Sequence, residues 1–410
     1  MKSSVVRLSS IRLLAAVALA LAGAAQAAAP LPSLNIDKSR ITVSGLSSGG
    51  FMANQLGYAY SSTFKGVGVF AAGPYMCAGH SSYTSCMYNA SISASMLSTM
   101  QADLNNWSGT AIDAKAHVAA QKVFLFVGTS DATVGPNPVN AAYTQYQNNG
   151  VTAANLQYFQ QTGTAHVLPT DFDASGNNSC GTSASPYIAN CGYDGAKAVL
   201  THFYGALNPR NDSPPASRFI EFDQTAFGAN PGMASTGWAY VPADCAAGQV
   251  CKLHVALHGC QQNYATIGDR FVKNTGYARW ADTNRIVVLF PQTQVDNTAR
   301  STAASGLLPN PNGCWDWIGW YGSNFAQKAG TQAAAIKAMV DKVSGTSDPG
   351  TPGTCFTASN YGHTVAGRAY ALWGLTYANG SNDSMGLWNI YVSTTLKQTA
   401  PNYYVIGSCL

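Results

Sequence analysis

The chain has 410 residues, of which only 10% are charged, whereas it contains 40 glycines and 21 tyrosines. Its formal net charge is +4, and without the three cations of the first 27 residues, 19 basic residues would face 18 acidic ones, a net charge of +1. A chain with so small a net charge is not attracted electrostatically to nucleic acid or anionic lipid. Its low content of charged residues is compatible with a neutral or solid substrate.

The first 27 residues have the pattern of a secretory signal peptide. Cations at positions 2, 7 and 12 precede an apolar stretch at 13–22, and the small-residue triplet AQA follows at 25–27. The apolar stretch is too short to cross a bilayer. We therefore predict cleavage near Ala27 and a secreted protein, extracellular or periplasmic, without a membrane partner.

After residue 28, short apolar strands alternate with helical patterns, which is typical of a mostly parallel sheet with helices on both faces. The predicted fold class is therefore α/β. Helices are predicted at 51–60, 140–148, 195–207, 269–283 and 325–343. Strands are predicted at 41–43, 66–71, 123–127, 156–159, 252–257 and 286–290, with an antiparallel pair at 218–222 and 237–241.

The first predicted strand leads into a nucleophile elbow. Residues 45–49 read GLSSG and lie between a strand and a helix, as the Gly-x-Ser-x-Gly motif requires. Small residues flank the serine because a tight strand-to-helix turn brings backbones close together. Ser47 is therefore the predicted nucleophile, and Ser48 would donate a backbone N–H. A simple Gly/Ser turn is the alternative interpretation of so short a motif.

Two later strand ends carry a candidate acid and a candidate base. A serine hydroxyl needs a base to take its proton, and α/β-hydrolases place these groups in the chain order Ser, acid, His. Asp131 follows the strand at 123–127, and His166 follows the strand at 156–159. Chain order and strand-end placement therefore predict the triad Ser47, Asp131 and His166.

Other acids and histidines fit this order less well. Asp171 and Asp173 lie near His166 but follow it in the chain. We interpret four other histidines as structural or without a role: His80, His117, His202 and His254.

The strand at 252–257 ends in LHGC, residues 257–260, which has the form of a hydrolase oxyanion loop. We predict that the backbone N–H groups of Ser48 and Cys260 stabilise the oxyanion of acyl transfer, and losing one such donor typically costs about 3 kcal/mol. A disulfide from Cys260 to Cys314 would hold this loop rigid.

The order of these motifs predicts a circular permutation. In ordinary α/β-hydrolases the oxyanion strand precedes the nucleophile, whereas here the strands at 252–257 and 286–290 come last. Joining residue 343 back to residue 41 restores the usual order, and permutation is tolerated when the old termini lie close together. We predict that residues 28–342 form a circularly permuted α/β-hydrolase domain.

Ten cysteines fit an oxidising compartment. No Cys-x2-Cys pair or His-Glu-x2-His run is present, so neither a metal site nor a cofactor is predicted. Pairing neighbours along the chain gives Cys77–Cys86, Cys180–Cys191, Cys245–Cys251, Cys260–Cys314 and Cys355–Cys409.

Residues 314–321 read CWDWIGWY, an unusual density of aromatic side chains for a loop. Trp315 and Trp317 are candidates to line a groove for an apolar ester chain. A loop that its tryptophans anchor in the core is the alternative interpretation.

The last part of the chain is predicted to stand apart. Residues 343–354 read VSGTSDPGTPGT, which predicts a flexible linker. Residues 355–410 are too few for a secure core, which a terminal disulfide would help to close, and their apolar residues suggest β-strands. We favour a small β-rich domain that adsorbs to substrate over one that only stabilises.

Taken together, these motifs resemble secreted poly(3-hydroxybutyrate) depolymerases with a type 2, circularly permuted catalytic domain. The resemblance implies polyester hydrolysis with the triad and oxyanion donors named above, and a tryptophan of the Trp315 region beside the scissile ester. It rests on GLSSGG at 45–50, GTSD at 128–131, AHV at 165–167, HGCQQ at 258–262 and CWDW at 314–317.

The C-terminal segment extends the resemblance. CFTASNY at 355–361, His363 and Arg368 match the family's small polymer-binding domain, which implies that His363 and Arg368 contribute to substrate binding. The short linker departs from the family, because it lacks the threonine-rich or fibronectin-like module often found there. The resemblance implies a polyester substrate, and we expect a monomer.

Two other functions fit the same residues. A secreted esterase for soluble or polysaccharide-linked esters, such as feruloyl or acetyl groups, would use the same triad. A binding protein on an inactivated hydrolase fold is the non-enzymatic alternative, which the intact triad disfavours.

Overall fold

A computed structural model describes residues 28–228, 231–303, 305–345, 355–379, 381, 383–400 and 403–407. The predicted signal peptide and residues 346–354 of the predicted linker lie outside the described residues. Within those ranges, no helix combines the length and the apolar composition needed to cross a bilayer.

The described chain contains short strands and helices throughout. The strands are β1 (Ile36–Leu46), β2 (Gly66–Phe70), β3 (Lys122–Gly128), β4 (Leu156–Gln161), β5 (Leu168–Thr170), β6 (Asn178–Ser179), β7 (Ile188–Asn190), β8 (Phe219–Asp223), β9 (Thr236–Tyr240), β10 (Cys251–Leu257), β11 (Ile286–Phe290), β12 (Asp296–Thr302), β13 (Gly306–Asn310), β14 (Cys355–Ser359), β15 (Ala369–Leu372), β16 (Leu375–Ala378), β17 (Ser384–Leu387), β18 (Ser393–Ala400) and β19 (Tyr403–Ile406). The α-helices are α1 (Ser48–Ala59), α2 (Ala94–Trp107), α3 (Pro136–Asn148), α4 (Gly195–Tyr204), α5 (Ala243–Ala246), α6 (Tyr264–Ile267), α7 (Arg270–Asn274), α8 (Tyr277–Asn284), α9 (Thr331–Val343) and α10 (Asn360–Val365).

An eight-stranded sheet forms the centre of the fold, in the order β4-β3-β2-β1-β10-β11-β9-β8. The six strands from β4 to β11 run parallel, and β9 and β8 complete one edge in antiparallel orientation. The inner strands are buried along almost their whole length, because helices cover both faces of the sheet.

The sheet confirms the circularly permuted α/β-hydrolase fold. β1 pairs with β10 on one side and β2 on the other, although β10 is among the last strands of the sheet in chain order. The backbone N–H of Leu34 donates to the carbonyl of Val343 over 2.8 Å, so the end of α9 lies beside the entrance to β1. A short connection between these two points would restore the usual order of the fold.

Two apolar layers flank the sheet. One contains side chains of α1, α3 and α9, and the other contains side chains of α4, α7 and α8. Helix α1 is buried along its entire length, which holds its first turn, next to Ser47, in a fixed place.

The predicted strands of the main sheet are confirmed, whereas two predicted helices differ. The helix predicted at 269–283 is divided into α7 and α8, with Gly276 between them at a φ of 88°. The helix predicted at 325–343 begins only at Thr331, because Gly330 lies in a turn where a Cβ would be 2.4 Å from the carbonyl oxygen of Phe325. Helix α2 was not predicted, since it buries only Met100 and Leu104 and shows little periodicity.

The described residues between 355 and 407 form two three-stranded antiparallel sheets, β14-β18-β19 and β15-β16-β17, together with α10. The β-rich character predicted for this segment is therefore confirmed. Its core is small and consists of Ala369, Ala378, Met385, Leu396 and Tyr404.

Four of the five predicted disulfides are present: Cys77–Cys86, Cys180–Cys191, Cys245–Cys251 and Cys260–Cys314. Cys355 is disulfide-bonded as well. Cys409, its predicted partner, lies outside the described residues.

Candidate active site

Ser47 occupies the sharp turn between β1 and α1. Its φ of 55° and ψ of −122° are strained for a residue with a side chain, which is typical of a nucleophile elbow. The backbone N–H of Ser47 donates to Phe70 over 2.9 Å and ties the turn to the neighbouring strand. Ser47 is half-buried, whereas the residues on either side of it are buried.

The two glycines of the motif allow three backbone segments to meet at this turn. A Cβ on Gly45 would be 2.3 Å from the carbonyl oxygen of Gly49, and a Cβ on Gly49 would be 2.4 Å from that of Leu257. Any side chain at either position would therefore separate the elbow from the end of β10.

Asp131 and His166 come together beyond the ends of β3 and β4, as the sequence predicted. His166 Nδ1 lies 2.8 Å from Asp131 Oδ2, and both side chains are buried. The other carboxylate oxygen of Asp131 accepts backbone N–H groups of Thr133 and Val134 at 2.8 and 2.9 Å. The carboxylate is therefore held in one orientation, and it fixes the ring of His166 with Nδ1 towards the acid.

The environment keeps Asp131 ionised. Burial alone would raise its pKa, but the His166 imidazole and the N–H groups of Val134 and Thr133 outweigh burial and hold the pKa of Asp131 below its usual value. An ionised carboxylate in this position relative to an imidazole stabilises the protonated form of the ring.

Ser47 and His166 line the same cavity, so the predicted nucleophile and the predicted base are open to one bound molecule. Neither Ser47 Oγ nor His166 Nε2 makes a hydrogen bond within the described part of the chain. Catalytic hydrogen bonds are often long in free enzymes and shorten when substrate binds. The arrangement leaves the hydroxyl and the imidazole Nε2 available to a substrate in the cavity.

The loop that carries His166 is held from several sides. The backbone N–H of His166 donates to Ser183 Oγ over 2.9 Å, and Ala165 N–H donates to the carbonyl of Cys180 over 2.9 Å. The Cys180–Cys191 disulfide closes the segment that accepts these two bonds, so the backbone next to the imidazole is hydrogen-bonded to a covalently restrained loop.

The predicted oxyanion donors lie beside the elbow. Ser48 begins α1, so its N–H has no partner within the helix. Cys260 lines the cavity, and its N–H has no hydrogen-bond partner in the described ranges. The disulfide to Cys314 joins this loop to the aromatic loop, as predicted.

The cavity has a volume of about 500 Å³, and no Asp, Glu, Lys or Arg is found among the described residues that line it. Its wall is mainly apolar and aromatic, with a few neutral polar groups, which suits a neutral ester. The apolar lining consists of Leu46, Tyr83, Met87, Tyr88, Tyr187, Leu308, Pro309, Pro311, Trp317, Ile318 and Trp320.

Trp315 corrects one sequence-based expectation. It is fully buried and does not line the cavity, because its ring packs beside His258 with centroids 5.3 Å apart. Trp317 does line the cavity, stacked on Phe51 at a centroid distance of 4.3 Å, and Trp320 lies in the same wall. The aromatic loop is therefore anchored in the core by Trp315, and it lines the cavity with Trp317 and Trp320.

The carboxylate of Asp316 organises the aromatic loop from inside. It is 3% exposed, and it accepts backbone N–H groups of Gly319, Trp320 and Tyr321 at 2.7 to 2.9 Å. These bonds fold the loop around the carboxylate, so the tryptophans that line the cavity are directed outwards from a buried polar centre.

The aromatic loop yields a pH-dependent prediction. Burial raises the pKa of Asp316 to about 6, although backbone N–H groups oppose the rise. Because the folded-state pKa lies above the ordinary value of 3.8, this residue's contribution to stability is complete below about pH 4 and is lost as pH rises to about 6. We expect the loss to amount to about 3 kcal/mol.

The measurement is chemical unfolding of the wild-type protein and Asp316→Asn between pH 3.5 and pH 7. The free energy of unfolding of the wild type should decline across this window relative to that of the variant, which cannot titrate there. Parallel curves for the two proteins would contradict the assignment.

Sequence reasoning missed much of the cavity wall. Tyr83, Met87 and Tyr88 come from the segment around the Cys77–Cys86 disulfide, and the stretch 308–312 comes from β13 and the loop after it. The aromatic residues around the Cys77–Cys86 disulfide could have indicated a contribution to the cavity wall. Residues 308–312 have no periodic pattern from which such a contribution could be predicted.

Three of the other predicted structural histidines have partners, whereas His117 is exposed and its ring makes no hydrogen bond within the described residues. His254 is buried between Thr42 and Ser44, with its ring nitrogens 2.8 Å from their hydroxyls, as expected of a core residue. His202 Nε2 bonds the carbonyl of Asn155, and His80 pairs with Asp103. Within the described residues, no group of three His, Cys, Asp or Glu side chains is arranged to hold a metal.

His363 and Arg368 lie within the fold of the C-terminal segment, which corrects the expectation of direct substrate contact for His363. The His363 ring is fully buried, with Nε2 2.9 Å from the carbonyl of Thr394 and Nδ1 3.1 Å from Arg368 Nε. The half-buried guanidinium of Arg368 lies over the ring of Phe356. Both residues therefore support the segment from within.

Comparison with known proteins agrees with this geometry. Residues 22–171 match the family model "Prolyl oligopeptidase family". The chain is 50% identical to a polyhydroxybutyrate depolymerase of Talaromyces funiculosus, over 78% of this chain and 94% of that protein. It is 42% identical to a poly(3-hydroxybutyrate) depolymerase of Delftia acidovorans, over 96% of this chain and 97% of that protein, so this alignment extends into the C-terminal segment.

The fold is also similar to solved structures. A crystal structure of PHB depolymerase from Penicillium funiculosum matches with a TM-score of 0.74 and 50% identity, covering 77% of this chain and 98% of that one. A serine-to-alanine variant of PHB depolymerase, complexed with an R3HB trimer, matches with the same TM-score, identity and coverage.

Proposed function

This chain belongs to the poly(3-hydroxybutyrate) depolymerase family, and we propose that it hydrolyses poly(3-hydroxybutyrate) through an acyl-enzyme on Ser47. The observation that carries the proposal is one cavity of neutral, largely apolar lining that exposes Ser47 next to the His166–Asp131 pair. We assign Ser47, Asp131 and His166 as the triad and the N–H groups of Ser48 and Cys260 as the oxyanion donors.

The first half of the reaction acylates the enzyme. His166 Nε2 takes the proton of Ser47 Oγ as the oxygen attacks the ester carbonyl, and the imidazolium is stabilised by the ionised Asp131. The N–H groups of Ser48 and Cys260 stabilise the tetrahedral oxyanion. When the intermediate collapses, the ester C–O bond breaks, and the departing alkoxide takes the proton from His166 and leaves as a chain with a free hydroxyl end.

The second half releases the acid. A water molecule gives a proton to His166 and attacks the acyl carbon, and collapse of this second intermediate returns the proton to Ser47. The product is a 3-hydroxyacyl oligomer or monomer with a free carboxyl end. No step needs a cofactor.

The comparisons do not favour the alternative of soluble or polysaccharide-linked esters as the main substrates. The cavity wall supports a polyester of short aliphatic units, because its lining is mainly apolar and aromatic and contains no charged side chain among the described residues.

The direct test is product analysis on two substrate classes. We expect the protein to release 3-hydroxybutyrate and its oligomers from amorphous polymer granules, and Ser47→Ala to release none. Feruloyl and acetyl esters of polysaccharide serve as the competing substrates. Faster turnover of these esters than of soluble 3-hydroxybutyrate oligomers would contradict the proposal.

We also propose that residues 355–410 adsorb to the polymer surface and that the predicted linker, residues 343–354, connects them to the catalytic part once α9 has ended at Val343. Many large apolar side chains of this segment are exposed, and Trp373, in the turn between β15 and β16, is 93% exposed. The backbone N–H of Trp388 donates to the carbonyl of Gly374, the residue after Trp373. The ring centroids of Trp388 and Tyr361 are 5.6 Å apart, so several aromatic residues lie close together at this end of the sheet. Contiguous exposed apolar surface of this kind marks interaction sites.

Tyr391 of the same segment is 87% exposed, and replacing it together with Trp373 by alanine in the full chain tests this adsorption. Burying half of each ring against polymer would contribute about 2 kcal/mol, so the double variant should bind granules at least about 30-fold more weakly. Turnover of soluble oligomers should stay unchanged. Val250→Ala, an exposed apolar residue outside this segment, is the matched control. Unaltered granule adsorption by the double variant would show that the segment has another role.

Secretion is part of the same proposal. The predicted signal peptide, the disulfides of the described chain and a solid substrate that cannot enter a cell all support an extracellular site of action. We propose that the protein acts as a monomer.

A further inference from the structure

Another cavity lies at the opposite end of the central sheet from the candidate active site. It has a volume of about 320 Å³ and opens beside the first half of β1 and the amino ends of β10 and β11. Seven residues of extended strand separate Arg40, which lines this cavity, from Ser47, so the two are about 20 Å apart. Among the described residues, the two cavities have no lining residue in common.

The register of the sheet places three cations side by side in this cavity. Arg40 on β1 lies beside Lys252 on β10, and Arg285, the residue before β11, lies on the other side of Lys252. The backbone N–H of Lys252 donates to the carbonyl of Arg285 over 3.0 Å. Arg40 Cζ and Lys252 Nζ lie 5.6 and 5.7 Å from the ring centroid of Tyr204, so both side chains extend over the same ring.

Carboxylates of the protein neutralise this cluster only in part. Within the described ranges, neither Arg40 nor Lys252 forms an ion pair, and Arg285 forms one, at 3.8 Å between exposed side chains. Asp37 is the one acidic residue among the described residues of the lining, and its Oδ1 accepts the backbone N–H and the hydroxyl of Ser39 at 2.9 and 2.6 Å. Three cations and one carboxylate leave the lining with a formal charge of +2.

The cationic groups are fixed at the wall and keep donors free. Arg40 Nη2 donates to the carbonyl of Tyr204 at 3.0 Å, and Lys252 Nζ donates to that of Asn284 at 2.7 Å. An ammonium has three donors and a guanidinium has five, so most N–H groups have no acceptor in the described part of the chain. Burial, Arg40 and Arg285 lower the pKa of Lys252, because a buried charge beside two like charges is unfavourable.

We propose that this cavity is a binding site for a doubly charged tetrahedral oxyanion, such as phosphate, sulfate or the phosphate group of a small monoester, which Arg40, Lys252 and Arg285 hold together. The charge of such an anion matches the formal charge of the lining. Arginine and lysine donors also suit its oxygens, through charge-assisted hydrogen bonds. The cavity is larger than a bare phosphate ion, which leaves room for bound water or for a small ester group. Solvated surface cations that bind no particular ion are the competing explanation.

Calorimetric titration of the full chain tests the site. Inorganic phosphate, sulfate and glycerol 3-phosphate are the probes, each at pH 7.5 and at an ionic strength held constant with sodium chloride. We expect a Kd of about 1 mM for inorganic phosphate. The monoanion 3-hydroxybutyrate should bind at least about tenfold more weakly, because it carries half the charge. Tighter binding of glycerol 3-phosphate than of inorganic phosphate would identify a monoester as the ligand, and the reverse order would identify the free ion.

The variants Lys252→Gln and Arg285→Gln each remove one cation from the lining, and each should weaken phosphate binding at least about tenfold. Arg285 is exposed, so its variant should fold even if Lys252→Gln does not. Lys38→Gln is the matched control, because Lys38 is an exposed cation on the same strand as Arg40 and does not line the cavity. It removes the same charge from the whole protein and should leave the Kd unchanged.

Thermal unfolding gives a second readout. Phosphate at 20 mM should raise the Tm of the wild type by about 2 °C more than that of Arg285→Gln, because a ligand of the folded state stabilises it by mass action. Stabilisation by salts excluded from the protein surface is common to both proteins and cancels in this difference.

Three results would overturn the proposal: a Kd for phosphate above about 20 mM in the wild type, equal phosphate affinities in the wild type and in Arg285→Gln, or 3-hydroxybutyrate binding as tight as that of phosphate. Turnover of a soluble 3-hydroxybutyrate oligomer should be unchanged in Arg285→Gln, because the site lies far from Ser47. The anion site and the proposed hydrolytic function therefore stand or fall separately.

Discussion

Replacing Ser47 with alanine is expected to lower kcat by about 10⁶-fold, since removing the nucleophile of a serine hydrolase leaves only the contribution of binding and of the oxyanion site. KM should change little, because the cavity wall remains intact. The measurement is turnover of a soluble 3-hydroxybutyrate oligomer, supported by clearing of polymer granules. Substitution of this half-buried hydroxyl should not reduce stability, because Ser47 Oγ makes no hydrogen bond in the described part of the chain.

A matched control is Ser95→Ala, an exposed serine on α2. Its activity should equal that of the wild type. Retention of more than about one hundredth of wild-type kcat by Ser47→Ala would contradict the assignment of the nucleophile.

The substitution Asp131→Asn should lower kcat by about 10⁴-fold while the fold is preserved. The asparagine oxygen can keep the N–H groups of Thr133 and Val134, which leaves the amide NH2 facing His166 Nδ1. Nδ1 must then accept, so the ring carries its hydrogen on Nε2 and cannot take the proton of Ser47. The expected signature is a loss in kcat with little change in KM.

Asp173→Asn is the control for this substitution, because Asp173 is an exposed carboxylate close to His166 in sequence. It accepts a bond from Asn190 and should leave kcat within about twofold of the wild type. A larger loss in Asp173→Asn than in Asp131→Asn would mean that the acid has been misassigned.

The placement of the catalytic groups follows from local sequence and from the geometry of parallel sheets. Ser47, Asp131 and His166 each follow a strand of the same sheet, and the carboxyl ends of parallel strands meet at one edge. Three short motifs in a fixed chain order therefore predict a site whose members are up to 119 positions apart in the sequence. The permutation was also predictable, because each motif can be identified from its own residues even when the order of the motifs along the chain has changed.

The cavity wall was much less predictable. Tyr83, Met87 and Tyr88 reach the cavity from a single 3₁₀ turn and the loop after it, and residues 308–312 from the end of β13 and the loop that follows. Such short pieces have no periodicity that indicates which side chain faces inwards. Trp315 and Trp317 show the difficulty: both belong to one aromatic run, and Trp315 turns to the core while Trp317 turns to the cavity. The directions of the two side chains depend on the loop conformation, which is set by the backbone N–H groups that donate to Asp316. The spacing of residues in the sequence does not predict these hydrogen bonds.

In the C-terminal segment, composition predicted the type of secondary structure but not the role of individual residues. Its aromatic content predicted strands, and the structure shows which aromatic side chains remain exposed after those strands have formed. By contrast, His363 is fully buried and bonds to groups inside the segment, so this motif position indicates a common fold there, whereas the half-buried Arg368 stays a predicted substrate-binding residue.

Covalent labelling by a fluorophosphonate, followed by peptide mass spectrometry, tests the central claim that Ser47 attacks the ester under activation by His166. We predict one label per chain on the peptide that contains Ser47, and loss of labelling in His166→Ala, which keeps the hydroxyl but lacks the base. A label on another residue, or undiminished labelling of Ser47 without the imidazole, would contradict the account.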